Sequence, residues 1–185
     1  MDIALLVALI AATVSIIGWV VNYILNGFLD RKKAQRAANL LNIERQLENL
    51  YGPLTILLLE SKRATKNLSD SLGRKFVFTG NETLEDDELK TWLFWVEKDF
   101  FPRNEKIKEL ILTNTHLIEG ERIPASFVAF LDHFNSWKID HLRWQIEGVK
   151  YSWHSRYNWP EEFEFDVIST FEKLKHKQAD HLISK

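Results

Sequence analysis

Residues 3–29 read IALLVALIAATVSIIGWVVNYILNGFL, twenty-seven positions with no charged side chain and with only Asn22 and Asn26 strongly polar. A helix rises 1.5 Å per residue, so about twenty such residues cross a hydrocarbon layer of about 30 Å. The run predicts a transmembrane helix over residues 3–29, with the lipid bilayer as its first partner. Its last turns reach the headgroup region. Trp19 and Tyr23 lie four apart on one face near the end of the span, where amphipathic rings settle. A cleaved signal peptide would show a basic start, a shorter apolar stretch and a small-residue cleavage site, none of which is convincing here. A soluble core helix rarely stays apolar on all faces for more than about five turns.

Arg31, Lys32, Lys33 and Arg36 follow the run, against a lone Asp2 before it. By the positive-inside rule the amino terminus faces out and the remainder lies in the cytoplasm. The same four cations, with Trp19 and Tyr23, are the candidate membrane-interface residues. Near an anionic leaflet each contributes about 1 kcal/mol of attraction.

Residues 30–50 form a juxtamembrane amphipathic helix, with Leu40, Ile43, Leu47 and Leu50 at spacings of three and four. That stripe suits either self-association above the membrane or packing inside the chain's own domain. Residues 51–185 form the third unit, a cytosolic helical bundle. Tyr51-Gly52-Pro53 interrupts the pattern, and Pro53 can open the next helix, which runs to about Asn67. Residues 69–87 are weakest in regular structure, with Phe76-Val77-Phe78 as at most one short strand and a turn signal at Gly80-Asn81. The acids Glu85 to Glu88 precede Leu89, Trp92, Val96 and Phe100, where they cap a helix N-terminus. Pro102 breaks or kinks that helix. A long helix from Pro124 carries two apolar stripes, one of Phe127, Leu131, Phe134 and Trp137, the other of Ile139, Leu142 and Ile146, and so reads as central and buried on more than one side. Pro160 opens the last helix, with Val167, Ile168, Phe171, Leu174 and Leu182 inward. The fold class is all-α: a single N-terminal transmembrane helix followed by an antiparallel helical bundle.

Composition removes several chemistries. The chain has no Cys, hence no thiolate nucleophile, disulfide or Cys-based metal site. All 24 basic residues lie after Asp30, and removing Asp2 and Asp30 from the 26 acids leaves 24, so the soluble part is neutral and no duplex nucleic acid is expected as a partner. No phosphate loop, His-Glu-x-x-His, nucleophile elbow or EF-hand pattern occurs, and we expect no catalytic residue, no metal and no cofactor. Asp132-His133 and Asp140-His141 repeat at eight residues, about 12 Å along a helix, too far to share one metal ion. These histidines read as core groups hydrogen-bonded to neighbours, and Asn114, near the apolar face, as a residue that fixes helix register.

Residues 150–159 differ in kind. Tyr151, Trp153, Tyr157 and Trp159 alternate with Lys150, His154 and Arg156, without an acid. Rings and cations together suit stacking on a base and pairing with phosphate, and equally suit packing on the bundle or contact with the bilayer surface. Trp153, Arg156, Tyr157, Lys150 and His154 are the candidate ligand-binding residues.

The order of segments carries a resemblance. A span is followed by ERQLENLYGPL at 44–54, FFPRNEKIKELILTNTHLI at 100–118, IPASFVAFLDHFNSWK at 123–138 and a Pro-initiated amphipathic end. This resembles a widespread group of small uncharacterised bacterial proteins with one N-terminal transmembrane helix and a cytosolic helical domain. The resemblance implies a bacterial inner-membrane location and that topology, and nothing catalytic. The expected function is a membrane-anchored interaction or scaffold protein without catalytic activity, self-associating and contacting a protein partner. The alternative, by analogy of layout, is a ligand-gated effector of a bacterial anti-phage system whose cytosolic domain binds a cyclic nucleotide.

Overall fold

The computed structural model describes residues 2–73, 85–151 and 157–183, with the side chains of 5–11 left aside. It is all-α, with no strand among the described residues. Among the described residues six α-helices follow in order: α1 (Ile3–Gln46), α2 (Gly52–Ser71), α3 (Asp86–Trp95), α4 (Phe101–Thr113), α5 (Ala125–Glu147) and α6 (Glu161–Ile183). The chain divides into two compact units, Met1–Asn42 and Ile43–Ser184. The helical domain therefore begins at Ile43, within the stretch expected to be a separate juxtamembrane element.

In the first unit α1 holds the apolar run. Among the described residues it belongs to the one helix long and apolar enough to cross a membrane. The Trp19 and Tyr23 rings stack with centroids 6.0 Å apart. The Asn26 amide donates to Asn22 Oδ1 at 3.1 Å, so the two polar residues of the run satisfy each other along the helix. Lys32 Nζ lies 4.6 Å from the centre of the Phe28 ring.

In the second unit, both expected proline breaks are absorbed without breaking the helix. A π turn at Leu47–Tyr51 precedes α2, with the Gly52 N–H bonded to the Leu47 carbonyl five residues back. Another at Val96–Phe100 precedes α4, where the Phe101 N–H bonds to Val96 O. A proline ring collides with the carbonyl four residues earlier and lacks a donor. Widening the preceding turn to a five-residue repeat moves that carbonyl aside, so Pro53 and Pro102 continue helical chain. Gly52 is required for this geometry, because a Cβ there would stand 2.5 Å from Leu47 O.

α2 packs against α4 and α6, and α5 against α4 and α6. The main core joins Ile43, Leu47, Leu50, Leu54 and Leu58 to Ile107, Phe130, Phe134 and Phe163. Ile43, Leu47 and Leu50 are thus core residues of their own domain and not a free stripe. A second cluster gathers Ala64, Leu68, Trp92, Val96, Phe100 and Trp137.

Four expectations change. α2 runs to Ser71 instead of about Asn67, because Leu68 is buried and Lys66 pairs with Asp70 one turn on. In α5, Phe127, Phe130, Phe134, Trp137 and His141 are buried, whereas Ile139 and Ile146 are 55% and 79% exposed. Ile139 lies two residues, about 200°, beyond Trp137, which turns the second stripe away from the core. α5 therefore covers the bundle on one face and is not its centre. Leu182 is exposed, near the described end of α6. The acids before α3 do cap it, through a capping box in which the Glu85 N–H donates to Glu88 Oε2 at 3.1 Å. Phe76-Val77-Phe78 and Gly80-Asn81 lie outside the described residues.

Candidate functional site

One cavity of about 390 Å³ opens inside the helical domain. α2 contributes Leu58, Ser61, Lys62 and Thr65, residues at spacings of three and four that share one helical face. Opposite them stand Trp92 of α3, Phe100 of the second π turn, Asn104 of α4 and Trp137 of α5, and Trp159 and Glu164 complete the wall.

The aromatic wall is held from behind. Trp92 and Trp137 stack with centroids 5.9 Å apart, and Phe100 tilts against both at 5.7 and 6.3 Å. Trp92 Nε1 donates to Tyr151 Oη at 2.9 Å. Trp137 Nε1 bears on the same hydroxyl but makes no hydrogen bond of regular geometry. Burial pushes the Tyr151 phenol up to about 12, against the lowering effect of the indole donors, so it stays protonated. Trp159 is fixed edge-on between Phe130 and His133, at 5.9 and 5.6 Å. His133 Nδ1 lies 2.6 Å from the Tyr157 carbonyl, which selects the tautomer with the proton on Nδ1. Burial holds His133 below its ordinary pKa, while the backbone groups of Tyr157 and Asn158 act the other way.

Besides Ser61 and Thr65, the polar residues of the lining are the Lys62–Glu164 pair and Asn104. Lys62 Nζ meets Glu164 Oε1 at 2.9 Å, an ion pair that leaves this edge without net charge. Asn104 is only 4% exposed and stands in the cavity wall. An amide this enclosed among aromatic rings gives the cavity wall a neutral donor–acceptor pair. The wider groove between α2 and α4, lined by Pro53, Ile56 and Leu110, holds no such group.

The residues singled out from sequence are placed as follows. Trp153, His154 and Arg156 lie outside the described residues. Lys150 and Tyr157 are exposed, and of the flanking rings Tyr151 and Trp159 turn inward to pack on the bundle. Arg31, Lys32, Lys33 and Arg36 are exposed on α1, as are Trp19 and Tyr23. Asn114 ends α4, its amide donating to Leu110 O at 3.1 Å. His141, expected to hydrogen-bond, is instead enclosed by Phe101, Trp144 and Tyr151 with neither ring nitrogen bonded, 3.5 Å from Glu97. Among the described residues no three acids or histidines gather as a metal site.

Sequence reading missed the cavity. Asn104 lies two residues after Pro102, where the sequence reads as a break or kink, and Trp92 and Trp137 read as core, while Lys62 and Glu164 are 102 residues apart. No local spacing joins these elements. Compared with protein-family models, curated proteins and solved structures, the chain matches none.

Proposed function

We propose that this chain is a single-pass protein of a bacterial inner membrane, N-terminus outside, whose helical domain works in the cytoplasm as a non-catalytic interaction or scaffold module. The observation that carries the reading is the state of α1: Val14, Ile16, Ile17, Trp19, Ile24, Leu25 and Phe28 are all exposed. Transfer of each such side chain out of water is worth about 1.5–3 kcal/mol, which makes a bilayer the natural surround. Arg31, Lys32, Lys33 and Arg36 at its far end supply the direction. The bacterial location follows from the resemblance in segment order. Self-association, in this reading, uses surfaces other than Ile43, Leu47 and Leu50, which the domain core already takes up.

A second reading, a ligand-responsive membrane effector, draws support from the cavity, where aromatic rings and the Asn104 amide line one wall. The test of the first reading is a pair of fusions after Lys185. A reporter active only in the periplasm should stay silent and one active only in the cytoplasm should work. The opposite pattern overturns it.

A further inference from the structure

We infer that the cavity between α2, α3, α4 and α5 is a binding site for an uncharged, planar nitrogen heterocycle that presents a hydrogen-bond donor beside an acceptor, as an adenine base does. Three observations converge on this chemistry. The volume, about 390 Å³, is that of small-molecule sites, which run from about 300 to 1,000 Å³. Its walls are Trp92, Phe100, Trp137 and Trp159, rings that favour a flat π-system. Asn104 supplies one carbonyl and one amino group side by side on the cavity wall, the complement of a donor–acceptor edge.

The charge pattern narrows the class. Rings alone can hold a cation, but the carboxylate on the wall, Glu164, is paired with Lys62 and adds no free negative charge to favour one. A phosphate would need Lys62 free, and the same pair engages it. The site is therefore neutral, with specificity resting on Asn104.

The full-length chain in detergent micelles tests this with adenosine, AMP, purine riboside and tetramethylammonium as probes. Three of the seven tryptophans line the cavity, so occupancy reads out as a change in intrinsic fluorescence, checked by equilibrium dialysis. Adenosine should bind saturably, and about tenfold or more tighter than purine riboside, which lacks the exocyclic donor. AMP should bind no tighter than adenosine. Asn104→Leu, similar in size and without the amide, should abolish adenosine binding while the chain still unfolds cooperatively. Thr65→Trp, at an exposed rim position, should block entry while the core is untouched. The inference is overturned if adenosine does not bind saturably, if purine riboside binds equally well, or if tetramethylammonium alone binds. It is equally overturned if AMP binds far tighter than adenosine, which moves recognition to the phosphate, or if Asn104→Leu binds like the parent. Should Asn104→Leu fail to fold, Thr65→Trp alone decides. None of these outcomes alters the reporter result, so failure here is separable from failure of the membrane topology.

Discussion

The buried hydroxyl of Tyr51 accepts the backbone N–H of Glu119 at 2.9 Å, tying the first π turn to the connection between α4 and α5. Beside it the Gln46 amide donates to Leu117 O at 2.9 Å. Burial raises the Tyr51 phenol above its ordinary range, partly offset by the Glu119 backbone. Glu119 itself is pushed up by burial, but the hydrogen bonds of Lys177 and Lys173 outweigh that and hold it low. One turn of chain thus gathers the domain's first π turn, its α4–α5 connection and α6.

Tyr51→Phe keeps the ring and removes the acceptor, leaving the half-buried Glu119 N–H unpaired. We expect a loss of about 1 kcal/mol, or about 3 °C in Tm, with helix content unchanged in circular dichroism. An unchanged Tm would show that the bond contributes nothing net.

Gly52→Ala is predicted to destabilise the domain even though alanine is the better helix former by about 0.5–1 kcal/mol. The new Cβ would meet Leu47 O at 2.5 Å, and opening the π turn should cost about 1–3 kcal/mol. Chemical denaturation of the purified chain measures the sign. Net stabilisation would mean that the turn relaxes freely.

Leu47→Asp places a charge in the core between α2 and α6, and should abolish the folded domain. Leu41→Asp, on an exposed position of the other unit, should leave the domain's near-ultraviolet spectrum and melting unchanged. If Leu47→Asp stays folded and loses only a crosslinked species in membranes, the stripe is an association surface after all.

The two buried histidines predict a pH dependence. His133 and His141 are both held below 6.5, chiefly by burial, with Glu97 acting the other way on His141. A depressed folded pKa means that the unfolded chain binds the proton first. This stability is complete above 6.5 and declines as pH falls from there through the folded values. Tm should therefore drop between about pH 6.5 and 5, before Glu119 titrates, and His141→Phe should flatten part of the decline. A flat Tm over that range would contradict the burial argument.

The sequence by itself determined what depends on neighbours in the chain. Twenty-seven uncharged residues require a long apolar helix, and periodicities of three and four place Leu47, Leu50, Trp92, Val96, Phe127, Phe134 and Val167 on buried faces. Glu85 and Glu88 cap α3 because a capping box spans only three residues. Tertiary structure decided the rest. Whether Ile139 and Ile146 meet a partner depends on how many helices surround α5, and the bundle supplies them on one face only. Prolines read as breaks become continuous helix because Leu47 and Val96 accept bonds from five residues on. The cavity is the extreme case: its walls come from α2, α3, α4, α5 and α6, and the place of the Asn104 amide among them is visible only once every neighbour is in place. Local propensity acts over a few residues, whereas burial and hydrogen-bond satisfaction are properties of the packed assembly.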